Sequence, residues 1–151
     1  MNLLYTFWSF LTGISLIVQT GINGKLKNVT SNPIFSALAS FTVGTITLFL
    51  AFIIGIKLNL LSAPTWEVLK QTRFWMWTGG VIGALYVLAG VVIPGKIGFS
   101  NFFCLLLAGQ LITSVIADHF GWFGNPIQPI SLFRILGIAL MIIGVILIQK
   151  N

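Results

Sequence analysis

The chain has 151 residues, of which 57% are hydrophobic and only 7% are charged. In a soluble domain about 25% of all residues are charged, so this composition excludes a soluble domain. The formal charge of +6 does not indicate nucleic-acid binding, because the cations are dispersed among the breaks between apolar runs. The single cysteine, Cys104, excludes an intramolecular disulfide and a cysteine-based metal cluster, and we interpret it as a packing residue.

Five apolar segments approach the length of about 20 residues that a helix needs to cross a hydrocarbon core of about 30 Å. We therefore predict an all-α membrane protein, a single transmembrane domain over residues 1–151, with helices at residues 3–20, 33–56, 74–93, 99–117 and 131–148. The first segment has neither a basic leader nor a small-residue cleavage pattern, so we expect a retained helix rather than a signal peptide. This helix is predicted to end at Gly21, with Asn23-Gly24 forming a turn.

The breaks between the helices carry their own signals. Asn32 is suited to cap the second helix, and Pro33 suits its first position. Residues 62–67 are typical of the start of a short interfacial helix. Pro94 is predicted to end the third helix, and residues 121–129 indicate an extended turn before the fifth.

Small residues recur at helical spacing in three of the predicted helices. The second helix carries Ser36, Ser40 and Gly44 at intervals of four, and the fifth carries Gly137 and Gly144. Such residues let two helix backbones approach closely, which favours association where lipid removes the hydrophobic driving force. We interpret these residues as packing positions. The third helix has three more of them: Gly79, Gly83 and Gly90.

The Lys and Arg residues of the loops are balanced across the predicted membrane. With five spans, four cations lie on the side of the N-terminus and four on the other; they are Lys57, Lys70, Arg73 and Arg134 against Lys25, Lys27, Lys96 and Lys150. The bias that normally orients a membrane protein is therefore missing. Our hypothesis is that the chain inserts both ways round and forms an antiparallel homodimer of ten helices, the inverted-repeat plan of many transporters. The alternative is one fixed orientation, set by features that a charge count does not capture.

Polar residues inside apolar spans are costly and are therefore candidates for function. Gln110 lies near the middle of the fourth helix, and Ser114 and Asp118 follow at steps of four on the same broad face. This stripe is the strongest candidate for a substrate pathway, although an interhelical hydrogen bond is an alternative role for Gln110. Five further residues are candidates for the same pathway: Gln19, Asn23, Ser40, Tyr86 and Asn101.

Asp118 and His119 are adjacent, so their side chains diverge by about 100° on a helix and do not form a facing acid–base pair. Asp118 is either a polar helix end at the membrane border or a proton or cation site at the mouth of a pathway. The single histidine and the two acids are not arranged to predict a Ser–His–Asp set. The sequence also has no cluster of metal ligands and no phosphate-binding loop. We therefore predict that the protein is not an enzyme and uses no metal or cofactor.

Several motifs match a known pattern over nearly the whole chain. They are QTGINGKL at residues 19–26, SFTVGT at 40–45, GALYV at 83–87, AGQLITS at 108–114 and DHFGWFG at 118–124. Together with Arg134, Gly137 and Gly144 they resemble the short, YdcZ-type family of the drug/metabolite transporter superfamily. The part from Gln110 to Gly121 is the most specific.

The resemblance implies a five-helix carrier, similar to one half of the ten-helix members of the superfamily, which are inverted repeats around a substrate cavity. The glutamate that the four-helix multidrug members place in their first helix has no counterpart here, which argues against their proton-exchange mechanism. We therefore predict a bacterial inner-membrane transporter that moves a small metabolite or drug-like solute by alternating access.

This transporter is expected to act as a homodimer, or as a heterodimer with a related chain. Its path is expected to run between the first four helices, with Asp118 at one mouth. The alternative function is a non-transporting membrane subunit that scaffolds or regulates a partner protein.

Overall fold

The computed structural model describes residues 2–149; Met1, Asn151 and Lys150, one of the cations counted above, lie outside the described residues. Five helical segments are long and apolar enough to cross a membrane, so the predicted all-α class with five spans is confirmed. The helices are α1 (Leu3–Thr30), α2 (Pro33–Lys57), α3 (Trp66–Leu69), α4 (Gly79–Val92), α5 (Pro94–Ile97), α6 (Phe99–Phe120) and α7 (Leu132–Gln149). The short helix expected between the second and third spans is α3.

The first helix is longer than predicted, because α1 continues to Thr30 instead of ending at Thr20. Asn23-Gly24 therefore forms no turn. Asparagine favours turns when its side chain bonds to its own backbone, but the Asn23 side chain instead bonds to Ser40 of α2. Ser31, with a left-handed φ of 53°, caps the end of the helix. The predicted start of α2 is confirmed, since the Asn32 side chain accepts a hydrogen bond from the backbone N–H of Phe35 at 3.0 Å.

The third span is divided rather than continuous. A 3-10 turn at Phe74–Trp77 precedes α4, and α4 ends at Val92, one residue before the predicted end. Pro94 does not simply stop the helix but starts the short α5, because its fixed φ suits a first helical position. The full span, Phe74–Ile97, is long enough to cross the membrane.

The ends of the last two spans differ from prediction by a few residues. α6 continues to Phe120 rather than Ala117, and Gly121, with a φ of 61°, ends it. α7 begins at Leu132 rather than Ser131, since the Ser131 hydroxyl oxygen accepts a hydrogen bond from the backbone N–H of Arg134 at 3.3 Å.

The chain packs as two compact units, one ending at Val92 and the other beginning at Ile93. In the first unit α1, α2 and α4 contact one another, and in the second α6 packs against α5 and α7. A Cβ added at Gly90 would lie 3.4 Å from the Thr20 hydroxyl oxygen, and one at Gly83 would lie 3.4 Å from the Phe41 ring. These two predicted packing positions are therefore confirmed. At four other predicted positions an added Cβ has no neighbour within 4 Å among the described residues: Gly44, Gly79, Gly137 and Gly144.

Candidate functional site

A cavity of about 600 Å³ opens between α1 and α2, within the first unit. It extends along α1 from Ile14 to Leu26, about 18 Å at 1.5 Å per residue. Its lining is mostly apolar, with four uncharged polar residues. The lining residues are Ile14, Ser15, Val18, Gln19, Ile22, Asn23 and Leu26 of α1, with Ala39, Ser40, Val43 and Gly44 of α2.

Three polar side chains form a hydrogen-bonded cluster on this cavity. The Asn23 side-chain Nδ2 donates to the Ser40 hydroxyl oxygen at 3.2 Å, and the Gln19 Nε2 donates to the same oxygen at 3.5 Å. The two amides reach one serine because residues four apart lie on the same face of a helix. Asn23 is only 6% exposed. Three residues that the sequence singled out separately thus belong to one site.

The close approach of α1 and α2 at this cluster depends on Ser36, which lies one turn before Ser40 on α2. Ser36 is completely buried, and its hydroxyl donates to the backbone carbonyl oxygen of Asn23 at 2.6 Å. A side chain that contacts the partner helix backbone in this way must be small. The spacing of Ser36, Ser40 and Gly44 predicted packing, but it gave no indication that Ser36 bonds to the backbone of a site residue.

Tyr86 does not join this cluster. It lies on α4 of the same unit and is half-buried, but it does not line the cavity between α1 and α2. Tyr86 therefore shares no cavity with Asn23 and Ser40, and its place on the same substrate path stays a prediction.

The second unit has its own cavity, of about 740 Å³, along α6. Gln110 and Ser114 both line it, as the four-residue spacing predicts. The Ser114 hydroxyl donates to the Leu111 carbonyl oxygen of its own helix at 2.9 Å, whereas the Gln110 side chain has no hydrogen-bond partner within residues 2–149. Gln110 is thus the member of the stripe with free hydrogen-bonding groups. The rest of the lining is Leu105, Leu106, Gly109, Thr113, Ala117, Trp122 and Phe123.

Asp118, the third member of the stripe, is paired with Arg134 of α7. The Arg134 guanidinium donates to the Asp118 carboxylate at 3.3 Å, and both side chains are about one-third exposed. The same guanidinium donates to the Gln128 side-chain oxygen, and the Gln128 backbone N–H donates to the Asp118 carbonyl oxygen at 2.9 Å. The network ties the loop after α6 to both helices. This pairing favours the structural interpretation of Asp118 over a free proton or cation site.

His119 and Asn101 are engaged locally in the same unit. The His119 Nδ1 accepts a hydrogen bond from the backbone N–H of Ile130 at 3.4 Å, which requires that nitrogen to be unprotonated. His119 and Asp118 therefore have different partners, as expected for adjacent helix positions. The Asn101 side-chain nitrogen donates to the Ile97 carbonyl oxygen at 2.9 Å, so its amide is partly satisfied near the start of α6.

Two comparisons with known proteins match nearly the whole chain. Residues 4–147 match the family described as "Putative inner membrane exporter, YdcZ". The chain is 28% identical over 140 residues to the inner membrane protein YdcZ of Escherichia coli (strain K12), covering 92% of this chain and 90% of that protein. No solved structure matches the chain.

Proposed function

The chain belongs to the YdcZ family of the inner membrane, and we propose that it carries a small metabolite or drug-like solute by alternating access as an antiparallel dimer. It is a multi-pass inner-membrane protein with five helices that are able to span the bilayer. The exporter description of the family points to transport rather than catalysis.

The observation that carries the proposal is the cluster of Gln19, Asn23 and Ser40 on an apolar cavity. Hydrogen-bonding groups within a membrane span are costly unless they are satisfied or used, so they mark solute paths. A volume of about 600 Å³ is within the range of small-molecule sites. We assign these three residues to solute binding. Gln110 and Ser114, which line the cavity of the second unit, are proposed as a separate set of solute-binding residues, with Tyr86, Asn101 and Asp118 in supporting positions.

The dimer is proposed for two reasons. The balanced Lys and Arg count gives neither orientation an advantage. In addition, the Gln110 amide finds no partner within residues 2–149, and a facing copy would supply one. Two copies of opposite orientation would form a ten-helix inverted repeat that opens alternately to each side.

Transport is tested with proteoliposomes that contain an equimolar mixture of amino acids, sugars, nucleosides, aliphatic acids and aromatic amines. We expect at least one solute to leave faster than from protein-free vesicles, as measured by mass spectrometry. Asn23→Ala and Gln110→Ala are each expected to slow its release about tenfold, the effect of losing about 1.4 kcal/mol of hydrogen bonding. Tyr86→Phe should slow it less.

The matched control is Ser9→Ala, because the Ser9 hydroxyl bonds only to the Tyr5 carbonyl oxygen of its own helix and lines no part of the α1–α2 cavity. Wild-type vesicles that release no solute faster than empty vesicles would contradict transport and favour the scaffolding subunit. Unchanged release from Asn23→Ala, Gln110→Ala and Tyr86→Phe would refute the site assignment alone.

The antiparallel arrangement predicts that the loop after α2 faces both sides of the membrane. The chain has one cysteine, so Cys104→Ala with Ser62→Cys places a single thiol in this exposed loop. We expect a membrane-impermeant maleimide to label about half of the molecules in spheroplasts, and all of them after permeabilisation, because neither orientation is favoured. Labelling of all or none of the molecules before permeabilisation would contradict dual insertion.

A further inference from the structure

The hydroxyl of Ser40 does not bond to the backbone of its own helix, unlike several other hydroxyls of α1 and α2. Those of Ser9, Thr12, Ser15 and Thr47 each donate to the carbonyl oxygen four residues earlier in their own helix, at 2.8–2.9 Å. The Ser40 oxygen instead accepts from Asn23 and Gln19, and its own proton has no acceptor within residues 2–149. One hydroxyl donor is therefore left for a molecule in the cavity.

The side-chain amides of Gln19 and Asn23 each have an oxygen that can accept a hydrogen bond beside Ser40. Gln19 and Asn23 each use a side-chain N–H on Ser40, and no donor within residues 2–149 reaches either side-chain oxygen. Among the described residues no fully buried side-chain nitrogen or oxygen lacks a partner. Although Asn23 is 94% buried and lines the cavity, its unpartnered oxygen is therefore not fully buried. The cluster thus presents a donor beside two acceptors.

Charge is missing from this cavity. None of its eleven lining residues is titratable, and the cations nearest in sequence, Lys25 and Lys27 of α1, are not among them. A charged solute would have to leave water without a counter-charge, which is strongly unfavourable in an apolar site. The seven apolar lining residues, by contrast, suit a hydrophobic body.

We propose that the α1–α2 cavity binds an uncharged amphiphilic solute, with an apolar body and one head group that both donates and accepts hydrogen bonds, such as a carboxamide. This inference rests on the proposed transport function, since it names the class of solute carried. The head group would accept from the Ser40 hydroxyl and donate to the side-chain oxygens of Gln19 and Asn23. The body would lie along Val18 and Ile22 of α1 and Val43 of α2.

The test uses three probes that share a phenyl ring and carry a neutral amide, an anionic carboxylate or a cationic ammonium head group: benzamide, benzoate and benzylammonium. Binding to the full-length protein in nanodiscs is measured by saturation-transfer difference NMR, with the signal of empty nanodiscs subtracted. We expect benzamide to bind more tightly than either ion, and Ser40→Ala to weaken benzamide binding about tenfold, through loss of one hydrogen bond. Ser9→Ala should leave binding unchanged.

Gln19→Met provides a second variant, because Gln19 is exposed and its replacement keeps the length of the side chain without the amide. It should also weaken benzamide binding. Stronger binding of benzoate or benzylammonium, no benzamide signal above empty nanodiscs, or equal benzamide binding by all variants would overturn the proposal. Proteoliposomes that release only charged solutes would refute the solute class and leave transport intact. Vesicles that release nothing would refute transport itself.

Discussion

Replacement of Ser36 by leucine is expected to lower the free energy of unfolding by about 2–4 kcal/mol, measured by thermal denaturation of the purified protein. Ser36 is completely buried, and its hydroxyl contacts the α1 backbone at 2.6 Å. The larger side chain would force α2 away from α1, and overpacking of this kind costs about 1–3 kcal/mol. Loss of the hydrogen bond adds about 1 kcal/mol.

Two control variants separate these contributions. Ser36→Ala removes only the hydroxyl and should cost about 1 kcal/mol. The Asn23 carbonyl lies within α1 and is not left unsatisfied, because it still takes part in the hydrogen bonding of that helix. Ser9→Leu makes the same chemical change at an exposed position of α1 and should have little effect. If Ser36→Leu and Ser9→Leu melted at the same temperature, the close contact between α1 and α2 would be wrong.

Reversal of the charge at Arg134 is expected to release the loop between α6 and α7. Arg134→Asp places two carboxylates together and also removes the donor to Gln128, with an expected loss of about 2 kcal/mol. The backbone amides of Gln128 and Ile130 donate to Asp118 and His119, so hydrogen exchange at these two amides should accelerate. Mass spectrometry of peptides covering residues 121–131 measures this exchange.

The double variant Asp118→Arg with Arg134→Asp restores opposite charges and should recover part of the protection, which identifies the pair as the cause. Lys70→Asp provides a control at the exposed ion pair between Lys70 and Glu67. It should change stability by only a few tenths of a kcal/mol. Unaltered exchange at Gln128 and Ile130 in Arg134→Asp would contradict the tethering role.

The five spans can be predicted from the sequence because length and apolar composition decide which segments cross a bilayer. The start of α2 can also be predicted, since the Asn32 side chain caps a backbone N–H only three residues later and Pro33 acts through its own fixed φ. The end of α1 cannot, because the turn preference of Asn23 is overridden by a bond to Ser40 on another helix. The end of a helix can thus be predicted from sequence when the groups that determine it are close together in the chain.

The candidate site shows the same division. The sequence identifies Gln19, Asn23 and Ser40 one by one as polar residues in apolar surroundings, but their meeting depends on how α1 and α2 pack. The pairing of Asp118 with Arg134 was missed for the same reason, as the two residues are 16 positions apart. Helical spacing predicts one face of α6 for Gln110 and Ser114, and both line the same cavity because they belong to one helix.

The length of α1 has a consequence for the surrounding bilayer. At 1.5 Å per residue its 28 residues measure about 42 Å, whereas the hydrocarbon core is about 30 Å thick. A helix longer than the core is accommodated when it tilts, or when its polar last turns, with Lys25 and Lys27, extend into the headgroups. A thicker bilayer therefore favours a more upright α1, the helix that carries Gln19 and Asn23.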